Sequence, residues 1–450
     1  MPVRTVDLAG KLIERIVTFL LGDKVSLSAC SRVCRHWNAS VKPILFSSIQ
    51  LVSDDRDAPV PKAGGQKKKG GKNTTVKKPK AFDIVKHATP PTSVAQYVKD
   101  VDIVCRTVTP YDVSQVLLLF PSLERLSLKA DIHRSKLKLP ISDRWVPRPL
   151  KELRLTELIF SMDDWEPKPV TDASLLQGQP IQCALVELLN LFGTVDTLYL
   201  HDVFPSGRND HSDRGSQCSC CYFTYPERKK DRLAIWTEAQ KLSDEFTLKR
   251  ILSSDHDSLF HFKGRGQDVV LDLLCRSPAA LSTLETLEVN ESLTITRELL
   301  EAAGGNLKHL RFNVTQPVEK KQKDFGISYC PNLVSAHVCY YTHMTGFSDA
   351  GMDTWYARLV ATVQDSVKKL PVTLSRLTIE LRCSNALIQK FDWAGMDQML
   401  AERDLEECKV VFKYHAHEAP KSPEKVAVTF RKRMSRLVAK LGDNLRVECC

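Results

Sequence analysis

The sequence predicts an α/β protein in which a short helical N-terminal unit precedes an irregular solenoid of strand–helix units. An apolar-x-x-apolar-x-apolar pattern recurs nine times between residues 98 and 410, with helical apolar patterns between its copies. Ahead of it, apolar residues at helical spacing crowd residues 8–46, and a lysine-rich stretch almost free of apolar residues follows them.

In the helical unit, Leu8, Leu12, Ile16, Phe19 and Leu20 lie at helical spacing. Gly22-Asp23 breaks the pattern, and Asp23 is placed to cap the next helix. Leu27, Cys30, Cys34 and Trp37 then recur at spacings of three, four and three, with Val33 and Val41 nearby. Two or three short helices follow from this. A unit of about 40 residues is marginal alone and needs a partner or a neighbouring domain.

Residues 51–95 read as a lysine-rich linker or long loop, because like charges repel and PVPKAGGQKKKGGKNTTVKKPK offers little to bury. Residues 62–80 carry eight Lys and no acid, a charge of +8, and residues 421–440 contribute +6. The whole chain sums to +10, so the remainder carries −4 and is not a basic nucleic-acid surface.

The repeat region covers 96–420. Its strands are expected at Val98-Val101-Ile103, Leu123-Leu126-Leu128, Leu150-Leu153-Leu155 and Val195-Leu198-Leu200. The pattern returns at Leu284-Leu287-Val289, Leu307-Leu310-Phe312, Leu333-Ala336-Val338, Leu374-Leu377-Ile379 and Leu405-Cys408-Val410. Helical patterns lie between them, for example Val113-Val116-Leu117-Phe120 and Trp355-Leu359-Val363. One strand and one helix per 20–30 or so residues is the signature of a leucine-rich-repeat solenoid, in which stacking buries faces that one unit cannot bury alone. The consensus Asn is mostly absent, so the array is irregular. The alternative is an ordinary α/β domain with several parallel strands. A polar insertion is expected at about 202–265, and a basic amphipathic capping helix and tail at 421–450, with Phe430, Met434, Leu437 and Leu441 on one face.

No stretch approaches the roughly 18 consecutive apolar residues of a membrane span. Asp7, Lys11, Glu14 and Arg15 interrupt the N-terminal apolar pattern and argue against a signal peptide. Cys30, Cys34, Cys339 and Cys408 sit in apolar-periodic segments, so a reduced protein of the cytoplasm, the nucleus or both is expected.

The run LAGKLIERIVTFLLGDKVSLSACSRVCRHWNASVKPILFSSI resembles the F-box. Leu8, Leu12, Ile16, Phe19, Leu20, Leu27, Val33, Cys34 and Trp37 occupy positions matching that family's pattern, and Arg35 keeps its usual basic residue. Ala9 replaces the usual Pro and Lys11 the usual Glu, departures that weaken adaptor binding more than they threaten the fold. With irregular leucine-rich repeats downstream, the chain resembles the large fungal F-box families. The resemblance implies an F-box over residues 1–50, of which 8–46 dock, through those nine positions, on a Skp-family adaptor linked to a cullin and a RING subunit, while the repeat domain holds a protein substrate. It implies a substrate-recruiting subunit of an SCF-type ubiquitin ligase and not an enzyme. Alternatives are a leucine-rich-repeat scaffold without a ligase role and a nuclear factor acting through its lysine segments.

No catalytic, cofactor or metal constellation stands out. Gly70-Gly71-Lys72-Asn73 lacks the earlier Gly and the following Ser or Thr of a phosphate loop. Cys218, Cys220 and Cys221, with His211 upstream, lack paired C-x-x-C spacing, and His415 and His417 read as exposed residues at a strand end. Lys77, Lys78 and Lys80, with Lys67 to Lys69 upstream, form a candidate nuclear-import run. No specific nucleic-acid site is expected.

Side chains alternate along a strand, so residues flanking the central apolar position face the concave side. The substrate-facing candidates are Arg125, Arg154, Tyr199, His201, His309, Arg311, His337 and Arg376, accompanied by Ser127, Lys129, Glu152, Thr197, Glu288, Asn290, Asn313 and Glu380. Tyr199 and Arg311 are the preferred anchors, since Tyr and Arg are enriched at hot spots. The alternative places substrate on the 202–265 insertion.

Overall fold

The structure is a computed structural model that describes residues 12–13, 15–52, 94–133, 146–161, 183–206, 241–253, 266–289, 293–314, 317–318, 324–341, 349–383, 388–405, 407–416 and 423–449. Leu8, the lysine-rich segment with Lys77, Lys78 and Lys80, the 211–221 His/Cys group, Asn290 and His417 lie outside them. Among the described residues, twelve strands form an α/β arrangement whose sheet order follows the chain, β1 to β12. The chain divides into two compact units, Met1–Val195 with Ser206–Arg208, and Asp196–Pro205 with Asn209–Cys450.

The first unit opens with helical residues 12–13 and 15–19. Gly22 takes a φ of 97°, in the left-handed region, which turns the chain into α1 (Lys24–Ser31). Asp23 caps that helix as expected, its Oδ1 accepting the N–H groups of Val25 at 3.1 Å and Ser26 at 3.0 Å. With α2 (Arg35–Leu45), these helices enclose Ile13, Val17, Leu27 and Val41, and Leu20, Cys30, Trp37, Ile44 and Leu45 pack around them.

The chain then enters β1 (Ser48–Val52), which pairs in parallel with β2 (Asp100–Val108), Leu51 opposite Ile103. The lysine-rich segment therefore joins two paired strands. Of the two readings given for it, linker or long loop, a loop joining neighbouring strands of one ladder is the one that β1–β2 pairing accommodates. Next come α3 (Pro110–Leu119), β3 (Arg125–Ile132), β4 (Arg148–Ser161) and α4 (Ala184–Leu189). Pro at the start of α3 and the reciprocal Thr109–Asp112 capping box fix its entry. The expected apolar triplets face inward: Ile103, Leu126, Leu128, Leu153 and Leu155 are buried, as are Val113, Val116 and Leu117 of α3. On β4, Glu157 takes a φ of 45° where the β3–β4 register shifts, a one-residue bulge.

In β5 (Phe192–Ser206) the division between units falls after Val195. The second unit continues with β6 (Thr247–Ser253), α5 (Gly266–Cys275), α6 (Pro278–Leu281), β7 (Thr286–Val289), α7 (Leu293–Ala303), β8 (His309–Val314) and β9 (Ser335–Tyr341). It ends with α8 (Asp349–Lys368), β10 (Arg376–Cys383), α9 (Trp393–Glu402), β11 (Lys409–Ala416), α10 (Pro423–Arg433), α11 (Ser435–Leu441) and β12 (Leu445–Cys449). Pairing from β6 to β12 is parallel throughout.

Two readings are corrected here. The polar insertion at 202–265 contains a strand, β6, with Leu248 and Ile251 buried; Ser253 replaces the third apolar residue and bonds to Gln267. The single capping helix and tail at 421–450 are two helices broken at Met434 and then a strand, β12, paired with β11. The apolar stripe survives the break, since Phe430, Met434, Leu437 and Leu441 are all buried.

Candidate functional site

In β7–β11 the apolar side chains point to the helices, and polar ones occupy the other face by strand alternation. Parallel register places Glu288, Arg311, His337 and Thr378 opposite one another in a row across β7, β8, β9 and β10. The next row holds Asn313, Cys339, Glu380 and Lys413.

Glu380 is the centre of this face, its side chain only 3% exposed. His337 Nε2 lies 2.7 Å from its Oε2, while Arg382 Nε donates to Oε1 at 2.6 Å and His415 Nε2 stands 3.1 Å from the same atom. One guanidinium nitrogen of Arg311 is 3.6 Å from Glu380 Oε2, and another is 3.6 Å from Glu288 Oε2. Burying a carboxylate costs several kcal/mol or so unless it is paired and hydrogen-bonded. Burial does push the Glu380 carboxyl upward, but the His337 and Arg382 hydrogen bonds and charges outweigh it and hold the group at about 2. Cys339, opposite Glu380, is pushed up to about 12 by burial, with the Glu380 charge adding to it, so it stays a thiol.

Beside this cluster is an open pocket of about 210 Å³, bounded by His309, Arg311, His337, Arg376, Thr378 and Lys413. Glu288 is the acid among the lining residues, against Arg311, Arg376 and Lys413 as permanent cations. Arg376 is exposed, and His309 Nδ1 is 2.8 Å from Ser335 Oγ. The structure thus brings together His309, Arg311, His337 and Arg376 of the sequence-derived candidates.

It does not bring the others to them. On the first unit's sheet, Arg125 grips Asp100 through two nitrogens, at 2.5 and 2.7 Å, Arg154 bonds to Glu152, and Lys129 bonds to Glu157. Glu124 is shared by Lys151 at 2.7 Å and Lys99 at 3.4 Å. Each of these cations has an acid beside it, Glu124 serving two. Tyr199 and His201 lie half-buried on β5, three strand spacings from β8 or roughly 14 Å, so Tyr199 and Arg311 are not joint anchors.

Sequence reasoning missed Arg382 and His415. The repeat pattern stops before Arg382, and His415 looked like an isolated strand-end residue. Its signal was alternation along β11, which puts His415 on the face of Lys413 and opposite Arg382.

The N-terminal helices carry a second candidate surface. Leu12 and Phe19 are 61% and 87% exposed, and Ile16, Val33 and Cys34 are exposed as well. Leu27 is enclosed in the unit's own core, and Leu20 and Trp37 are partly so.

Among the described residues no group of His, Cys, Asp or Glu could hold a metal ion, no helix is long and apolar enough to cross a membrane, and no disulfide is formed. Comparison with known protein families finds no matching family model, and comparison with curated proteins finds no match.

Proposed function

We propose that this chain is a substrate-recruiting F-box subunit of an SCF-type ubiquitin ligase, working through binding and without enzymatic chemistry of its own. The observation that carries the reading is the exposed stripe Leu12, Ile16 and Phe19 on a helical unit whose core, Ile13, Val17, Leu27 and Val41, is already complete without them. An apolar stripe at i, i+4 and i+7 fits a helix-packing interface, and the F-box resemblance gives its partner as a Skp-family adaptor. Chain-order parallel strands with helices between them suit a leucine-rich-repeat solenoid, and the polar face of β7–β11 suits a protein substrate.

The test is co-purification of the tagged full chain followed by mass spectrometry. Skp and cullin subunits should be recovered, and Leu12→Asp with Phe19→Asp should remove them. Their absence from the unaltered chain would overturn the reading.

One observation favours a second reading, a protein-binding scaffold without a ligase role. Leu27, a motif position, is taken up by the unit's own core, leaving fewer motif residues to meet an adaptor. Partner binding that ignores the Leu12 and Phe19 changes is its signature.

A further inference from the structure

We propose that the pocket on the polar face of β7–β11 binds an acidic side chain of an extended peptide, seating its anionic oxygens against Arg311 and Arg376. The inference rests on the reading of the second unit as the part that holds protein, and it names the class of segment held.

Charge is the first support. Arg311 and Arg376 face Glu288 in the lining, Lys413 being drawn to Glu448 at 3.5 Å, and no acid among the described residues lies within hydrogen-bond distance of Arg311, whereas Arg125 and Arg154 on the first unit's sheet are each hydrogen-bonded to an acid. The second support is Arg311 itself. Its nitrogens stop at 3.6 Å from both Glu288 and Glu380, beyond hydrogen-bond distance, and its buried Nε has no hydrogen-bond partner among the described residues. A guanidinium held by charge with its donors unspent is suited to bidentate capture of a carboxylate or phosphate.

Glu380 acts as a positioning residue. Held by His337, Arg382 and His415, it is a fixed negative charge beneath the cations, which offsets their mutual repulsion before any ligand arrives. Size then decides among anions. About 210 Å³ is below the range of roughly 300–1,000 Å³ typical of small-molecule sites, a size that suits one side chain of a larger ligand. The lining contains no Phe, Tyr or Trp on which a base could stack, which disfavours single-stranded nucleic acid.

The experiment uses the full chain and fluorescent Gly/Ser peptides that differ only at a central pair, which is Glu, phosphoserine or Lys. The Glu and phosphoserine peptides should bind and the Lys peptide should not. Arg376→Glu, at an exposed position, and Arg311→Ala should each weaken binding about tenfold or more, while Arg125→Ala changes nothing. Equal binding of the two anionic peptides assigns the site to carboxylates and preference for phosphoserine assigns it to phosphate; either supports the proposal. Binding of the Lys peptide as tight as the others, indifference to Arg376→Glu, or stronger displacement by an RNA oligonucleotide than by the Glu peptide overturns it. Adaptor recovery measured on the same samples separates the two ideas: lost peptide binding with adaptor retained sinks only this inference, and the converse sinks only the ligase reading.

Discussion

The carboxylate of Asp397 accepts the backbone N–H of Leu437 at 2.9 Å, and that of Arg436 at 3.2 Å. Asp397 sits on α9 and is 5% exposed, so one helix supplies the N-terminal cap of another. The device matters because α11 starts anew after Met434 and has no capping side chain of its own. Asp397→Ala should cost about 1–3 kcal/mol, since it removes a cap and strands one buried and one part-buried donor. Urea denaturation should show a lower midpoint at unchanged slope; an unmoved midpoint would mean that the cap carries no energy.

Glu380 makes stability depend on acid. Its folded carboxyl sits at about 2 against an ordinary 4.5. A depressed value contributes stability that is complete above the unfolded pKa and is lost as pH falls through the folded one. The window is therefore pH 4.5 down to about 2. Glu380→Gln should cost on the order of 3 kcal/mol at neutral pH, and much less near pH ~2. A penalty of the same size at both would contradict the assignment.

The N-terminal helices separate folding from docking. Leu12→Asp and Phe19→Asp alter exposed side chains and should change stability by no more than about 0.5 kcal/mol. Leu27→Ala removes a core side chain and should cost about 2–5 kcal/mol. Thermal denaturation beside adaptor co-purification distinguishes them: the first pair should lose the adaptor while melting normally.

Gly304 is required by a close approach. A Cβ there would lie 2.5 Å from the carbonyl oxygen of Tyr329 and still closer to that of Leu300, and both are backbone atoms that cannot swing away. Gly304→Ala should destabilise by about 1–3 kcal/mol through forced displacement of the α7 end from the turn at Ile327–Tyr329. A melting temperature equal to that of the unaltered chain would show that the turn yields freely.

Each of the nine apolar triplets ends on a strand because burying one face of a strand demands an apolar residue every second position. That demand is local and visible in one sequence. Where a triplet is imperfect the strand is not legible: Ser253 ends the triplet of β6, and its hydroxyl bonds to Gln267 from another element. The break at Met434 was invisible because the apolar stripe continues through it. On the site, alternation alone identified Arg311, His337, Arg376 and Glu380 as sharing a face. Which of them meet depends on register between strands distant in sequence, so the convergence of His415 and Arg382 on Glu380 was not legible. Register likewise decides that Arg125 is consumed by Asp100 while Arg311 is left between two acids.

A sheet whose spatial neighbours are also its chain neighbours is forgiving of growth. The chain travels from Val289 to His309 between β7 and β8, but from Tyr341 to Arg376 between β9 and β10, and both excursions return to the same parallel ladder. Closing a flexible connection costs only about 0.6 kcal/mol more for each doubling of its length. Residues can thus accumulate in the crossovers over evolutionary time, changing what surrounds the sheet while Arg311 stays opposite His337.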